Sequence, residues 1–157
     1  MAYRIMIVCT GNICRSPMAH AVLEHKLRER RLGEAISLES SGTTAFHAGE
    51  NADARARAEL RKHGIEFRHA ARSFRKSDLE AYDLILTMDR GNYRDVVRIA
   101  EAETEPKVHM FRDFDPEGGG EVPDPYYGGR NGFREVYEMI DRTCDAIIDH
   151  VLSRVQS

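Results

Sequence analysis

No stretch of this 157-residue chain supplies the roughly 20 consecutive apolar residues that a membrane-spanning helix needs, so no transmembrane span is expected. The one early apolar run, Ile5–Cys9, is too short for the core of a secretion signal and is broken at once by Gly11-Asn12. Cysteine is scarce. Three residues, an odd number without secretory features, argue against a disulfide framework and for a reducing compartment, with the cytoplasm as the expected location. An excess of positive charge is missing as well: 23 Lys and Arg against 26 Asp and Glu leave a formal net charge of −3. That balance provides no basic field for nucleic acid or an anionic membrane, and neither is expected as a partner. Repeats, low-complexity tracts and linkers are also absent, so a single domain over residues 1–157 with a real core is expected.

What is present is an alternation of strand and helix patterns. Tyr3–Val8 reads as a strand buried on both faces. Ala19, Val22, Leu23 and Leu27 then recur at helical spacing, with Gly33 as the expected stop. Ile36 and Leu38 open a second strand ending near Ser40-Ser41-Gly42. Asp53–His63 reads as a helix closed by Gly64, and Ser77–Glu80 as a short helical turn. Asp83–Met88 is a third strand, Asp89 caps a helix to about Ile99, and Lys107–Phe111 is a fourth strand. A loop rich in Pro, Gly and Asp over Asp113–Arg130 precedes a last helix from near Asn131, its apolar face carrying Phe133, Ile140 and Cys144. This order predicts an α/β three-layer sandwich: a four-stranded, parallel, twisted sheet in flavodoxin-like order with helices on both faces. Ligands of such sheets bind beyond the carboxyl ends of the strands.

One strand end carries the chemistry. Ile5–Met18 runs from strand through a tight loop into a helix, with Ser16 as the expected N-cap and Pro17 at the first helical position. The amides of Thr10 to Arg15 would converge on a small concavity backed by the positive end of a helix, an anion site. Gly11 and Asn12 are the residue types that tolerate the left-handed backbone such a loop needs. Cys9 at one lip and Arg15 at the other suggest a nucleophile aimed at a phosphoryl group, whose oxygens a guanidinium fork holds in pairs. The positive surroundings favour the thiolate form of Cys9, and the Ser16 hydroxyl could donate to it. A nucleotide-binding loop is excluded because no Gly-Lys-Ser/Thr follows, and no second ligand pair supports a zinc site at Cys9 and Cys14.

A phosphate monoester also needs a proton for its leaving oxygen. Val122-Pro-Asp-Pro-Tyr-Tyr-Gly-Gly129 offers Asp124, stiffened between two prolines, with Tyr126 and Tyr127 beside it to wall a slot. Asp124 as general acid and Asp124 as a simple turn-former both fit the pattern. Cys144, on an apolar helical face, reads as an inert core residue.

Together the two motifs, V-C-T-G-N-I-C-R-S-P and D-P-Y-Y-G-G, resemble those of the low-molecular-weight protein tyrosine phosphatase family, in its order and separation and over nearly the whole chain. Smaller echoes lie in Ser40–Thr43, His63-Gly64-Ile65, His69–Arg72 and Met88-Asp89. The resemblance implies a protein tyrosine phosphatase needing no metal or cofactor. Such an enzyme would act on phosphotyrosine-containing proteins as a monomer and release inorganic phosphate, which would also compete for the site. Cys9 would form a phosphocysteine, Arg15 would bind the phosphoryl group, and Asp124 would serve as general acid and then base. Asn12 would hold the loop's shape with Ser16, Ser41 and His69, while Ile13, Phe46, Tyr126 and Tyr127 would line the substrate crevice. Cys14 resembles the family's second cysteine, which could pair reversibly with Cys9; packing beneath the loop is the other reading. Ile13 argues mildly against the protein-arginine phosphatase branch. An arsenate reductase on the same fold would need resolving cysteines, which residues 78–100 lack, and a non-catalytic phosphopeptide-binding module would be expected to lose Cys9 or Asp124.

Overall fold

Tyr3–Cys9 (β1) pairs in parallel with Ile36–Gly42 (β2) on one side and Leu84–Thr87 (β3) on the other, and β3 pairs with Val108–Met110 (β4). The computed structural model describes residues 2–128 and 130–155. The strand order β2-β1-β3-β4 is the flavodoxin-like one expected. β1 is central because it is apolar on both faces. Ile5 and Ile7 pack toward Arg15–Glu29 (α1), Ala54–Arg61 (α2) and Arg130–Val155 (α5). Met6 and Val8 pack toward Lys76–Ala81 (α3) and Arg90–Arg98 (α4). Alternation along one strand thus divides the protein into two cores. Cys9 belongs to the α1 side.

The parallel register brings Cys9 beside Gly42 and Val8 beside Thr87, so the loops after β1, β2 and β3 open at one edge of the sheet. Gly42 is required there. A Cβ on it would stand 2.6 Å from the Thr10 carbonyl oxygen and 3.1 Å from Asn12 N. No larger residue would let β2 approach the Cys9 loop this closely.

Several boundaries differ from the sequence expectation, each for a local reason. α1 begins at Arg15, with Cys14 at the N-cap position and no side-chain cap. Ser16 is therefore not the cap, and Pro17 is not the first helical residue; the Ser16 hydroxyl is engaged with Cys9 instead. The same helix ends at Glu29, well before Gly33, with Arg30 as its C-cap and the left-handed residue just beyond it supplied by Arg31 at φ 57°. In the loop only Asn12 is left-handed, at φ 59°, and Gly11 is not. Gly64, at φ 76°, does close the turn after α2. β4 is trimmed to three residues, because Phe111–Phe114 turns into a 3-10 segment.

That segment anchors the long loop. Asp115 is buried and accepts from Arg112 Nε at 2.8 Å, Arg142 Nε and Nη2 at 2.9 and 3.0 Å, and Glu117 N at 2.9 Å. Burial opposes its ionisation, but the hydrogen bonds from Arg142, Glu117 and Arg112 win and hold its carboxyl at about 2, below the ordinary 3.8. A carboxyl depressed in the folded state stabilises the fold at pH above its unfolded value and loses that contribution as pH falls toward its folded value. The Asp115 contribution, about 2 kcal/mol at neutral pH, should therefore disappear between about pH 4 and pH 2. Arg142→Ala should lose a large part of that amount at pH 7, with Arg112 and the Glu117 amide retaining the rest, and much less at pH 2.5, checked by urea unfolding at the two pH values.

Candidate active site

The Cys9 loop is built around its own sulfur. Cys9 Sγ lies 3.0 Å from Ser16 Oγ and accepts from Asn12 N at 3.3 Å, both buried contacts. Asn12 is fully buried and acts as the loop's internal brace. Its Nδ2 donates to Ser16 Oγ at 2.8 Å and to Ser40 Oγ at 3.2 Å, and its Oδ1 accepts from Arg72 N at 3.0 Å. Its carbonyl oxygen accepts from His69 Nε2 at 2.7 Å, which fixes the proton on that ring nitrogen. Burial holds His69 below the ordinary histidine range, against the opposing pull of the Asn12 bond. Ser41 is not one of Asn12's partners: its hydroxyl turns to Met6 Sδ, and only its carbonyl reaches the network, facing Ser16 Oγ at 3.4 Å. The serine that braces Asn12 is Ser40.

Arg15 is buried at 3% exposure and held from three directions. Its Nη1 donates to Asp89 Oδ2 at 2.7 Å and to the Val122 carbonyl at 3.0 Å, while Nη2 donates to Thr10 Oγ1 at 3.3 Å. Burial alone would weaken the guanidinium's hold on its proton; the neighbouring Cys9, Asp89 and Asp124 more than offset this. Asp89 performs two tasks. One oxygen caps α4 by accepting from Asn92 N at 2.7 Å, as its sequence position suggested, and the other fixes Arg15. Asn92 Nδ2 in turn donates to Thr10 Oγ1 at 3.1 Å. Ser40, Arg72, Asp89 and Asn92 were not identifiable as site residues from spacing. The signal that was available lay in the family echoes at Ser40–Thr43, His69–Arg72 and Met88-Asp89, which contain the first three of them.

Asp124 stands across the opening. Its Oδ1 accepts from Tyr126 N at 3.0 Å, a turn contact, while Oδ2 faces Arg15 Nη2 at 3.8 Å. The loop is tied to α2 by Arg55, which donates to the Tyr126 carbonyl at 3.0 Å and lies over the Tyr126 and Phe133 rings. A cleft of about 450 Å³ results, with Cys9 and Arg15 at its base, Asp124 at its opening, and Ile13, Phe46, His47, Tyr126 and Tyr127 around it. Phe46 and Tyr127 are 87% and 93% exposed, so they form its rim rather than its floor. Gly129, the last residue of the second motif, lies outside the described residues. Cys14 is buried under the loop, and burial, with Asp53, Cys9 and Asp124 nearby, pushes its thiol well up. Burial does the same to Cys144. Among the described residues no cluster of His, Cys, Asp and Glu is arranged to hold a metal.

The Asn12 brace makes a separable prediction. Asn12→Ala forces alanine into a left-handed conformation at about 1 kcal/mol and removes three side-chain hydrogen bonds at about 1 kcal/mol each. Asn12→Gly removes the bonds but not the conformation. Both should lower activity at least tenfold, with the glycine variant about 1 kcal/mol the more stable by denaturant unfolding. Equal stability would mean that the backbone conformation carries no strain.

Residues 4–157 match the model of the family described as low molecular weight phosphotyrosine protein phosphatase. Over 160 aligned residues the chain is 42% identical to a low molecular weight protein-tyrosine-phosphatase of Streptomyces coelicolor, covering 99% of this chain and 98% of that one. It is 40% identical over 154 residues to the low molecular weight protein-tyrosine phosphatase A of Mycobacterium tuberculosis, covering 96% and 93%. A crystal structure of a protein tyrosine phosphatase from Entamoeba histolytica superposes with a TM-score of 0.94 at 33% identity, covering 97% and 98%. By sequence and by fold, this chain belongs to the low molecular weight phosphotyrosine protein phosphatase family.

Proposed function

We propose that the protein hydrolyses phosphotyrosine in proteins, and small aryl phosphates, by way of a phosphocysteine on Cys9. One observation carries this reading: the Cys9 sulfur and the buried Arg15 share one loop, and Asp124 faces that guanidinium across the cleft. The substrate phosphoryl group occupies the loop, its oxygens met by backbone amides and by the Arg15 edge that faces Thr10 and Asp124. Cys9 Sγ attacks phosphorus as the P–O bond to the phenol breaks. Asp124, entering as the carboxylic acid, gives its proton to the leaving oxygen. In the second half, water attacks the phosphocysteine and passes a proton to the Asp124 carboxylate. The S–P bond breaks, and inorganic phosphate leaves the thiolate restored. Ser16 steadies that sulfur by donating to it, and Asp89 holds Arg15 at its post.

Ile13, Phe46, Tyr126 and Tyr127 give the cleft walls that a phenyl ring fills, which supports phosphotyrosine over the shorter phosphoserine. The same reading includes metal-independent turnover, a monomeric enzyme, inorganic phosphate as a competing ligand, a cytoplasmic site of action, and a single domain over residues 1–157. Capture of an oxidised Cys9 by Cys14 as a disulfide belongs to the same reading, with burial, which pushes the Cys14 thiol up and disfavours its reactive thiolate, working against it. The deciding experiment compares phosphotyrosine, phosphoserine and phosphoarginine peptides with chelator present. Turnover of the phosphotyrosine peptide at least tenfold ahead of the others is expected; preference for phosphoarginine would overturn the substrate assignment.

A further inference from the structure

Behind the nucleophile, the hydrogen bonds of Asn12 continue to a histidine that catalysis as described above does not use. His20, on α1, is only 8% exposed, and its Nδ1 lies 3.3 Å from Ser40 Oγ. Its Nε2 lies 3.7 Å from Glu24 Oε2, one turn along the helix. The edge of its ring meets Phe67 at 4.9 Å. The donors and acceptors along this path can be assigned one by one. An amide nitrogen can only donate, so Ser40 Oγ accepts from Asn12 Nδ2 and keeps its own proton to give away. The near group able to receive it is His20 Nδ1. A neutral ring with its proton on Nδ1 would leave Nε2 and the Glu24 carboxylate facing each other as two acceptors. A neutral ring with its proton on Nε2 satisfies both ends.

We propose that His20 is a positioning residue for Cys9: a neutral, Nε2-protonated imidazole that accepts the Ser40 hydroxyl and so completes the run of hydrogen bonds that leads back through Asn12 and Ser16 to the sulfur. Asn12 Nδ2 gives one hydrogen to Ser40 and the other to Ser16, and Ser16 keeps its own hydrogen for Cys9 Sγ at 3.0 Å, with the Ser41 carbonyl as the more distant acceptor at 3.4 Å. Protonating His20 at Nδ1 breaks the sequence. The buried Ser40 oxygen would meet two donors, while its own hydrogen lost its acceptor, a cost of the kind that buried polar groups avoid. Ser40 Oγ, now shared between Asn12 Nδ2 and a cationic donor, would seat that amide less firmly, and with it the bond from Asn12 to Ser16.

Other charges face the ring. Glu24 is on its own helix. Glu39 on β2, together with Glu66, Arg68 and His69 from the segment before β3, lines the same surface cavity of about 390 Å³ beside it. The three glutamates favour the protonated ring; Arg68 opposes it. Burial holds His69 below the ordinary histidine range.

Two measurements on the full chain test the proposal. Long-range proton–nitrogen NMR of the wild-type protein at pH 7.5 should show His20 protonated at Nε2 with Nδ1 bare; an Nδ1-protonated ring overturns it. This readout requires no activity, so it judges the hydrogen-bond assignment even if the phosphatase reading fails. The kinetic part rests on that reading. His20→Asn places an amide oxygen near the Nδ1 position and cannot take up a proton. The ratio of its kcat/KM to that of wild type should rise on the order of three- to tenfold from pH 7.5 to pH 5.5, because only the wild type loses its acceptor. In the Ser40→Ala background the same ratio should stay flat. A flat ratio in the native background, or a rise that survives Ser40→Ala, would overturn the role assigned to His20.

Discussion

Cys9→Ser should lower steady-state turnover of an aryl phosphate by roughly 10⁴-fold or more while leaving phosphate binding largely intact. In the proposed reaction the Cys9 sulfur attacks phosphorus, and a serine hydroxyl is a far weaker acid and a poorer leaving group than a thiol. The groups proposed to bind the anion have partners besides that sulfur. Asn12 remains braced by Ser40, Ser16 and Arg72, and Arg15 remains fixed by Asp89 and the Val122 carbonyl. Binding is read from the rise in melting temperature with added inorganic phosphate, which should persist in the variant. Turnover within tenfold of wild type would remove Cys9 from the role of nucleophile. Loss of phosphate binding together with turnover would mean that the substitution had collapsed the loop.

The pattern of what the sequence revealed follows from how locally each feature is determined. The Cys9 loop was legible because a short segment contains its strand, its left-handed Asn12, its cation and its helix. The strand order was legible because the patterns alternate and Tyr3–Val8 is apolar on both faces. Ser40 against Ser41 was not legible, since the two are neighbours and a strand sends them to opposite faces. The register decides it: Ser40 pairs with Ile7, which faces α1, and Ser41 with Val8, which faces α3 and α4. Ser40 consequently meets Asn12 and His20, and Ser41 meets Met6. Ser16 shows the reverse error. Its residue type suits an N-cap, but an engagement with Cys9 and Asn12 in the buried loop outweighs the local preference, and the helix starts two residues earlier than expected without a side-chain cap. Asp89 was read correctly as a cap and incompletely as a site residue, because its second oxygen meets Arg15 across a sequence separation of 74 residues.

Asp124 posed a choice between a turn-former and a proton donor, and the geometry allows both: Oδ1 makes the turn to Tyr126 N, and Oδ2 faces Arg15 over the cleft. Substitution can separate the two. Asparagine keeps an oxygen for the turn but has no acidic proton; alanine loses both functions. If proton donation is the role that matters, Asp124→Asn and Asp124→Ala should fall together, by about 10² to 10⁴-fold in kcat, on substrates whose leaving phenol resembles tyrosine, with a pKa of about 10. On an aryl phosphate with a strongly acidic phenol, which departs without help, both should lose far less. If the turn is what matters, Asn should retain most of the activity and Ala should lose it equally with every leaving group. The slope of log kcat against leaving-group pKa reads the difference: steep for both variants and shallow for wild type under proton donation, parallel for all three under a purely structural role. The steep outcome is expected, because Arg55 holds the Tyr126 carbonyl independently and keeps the loop in place when the Oδ1 contact is weakened.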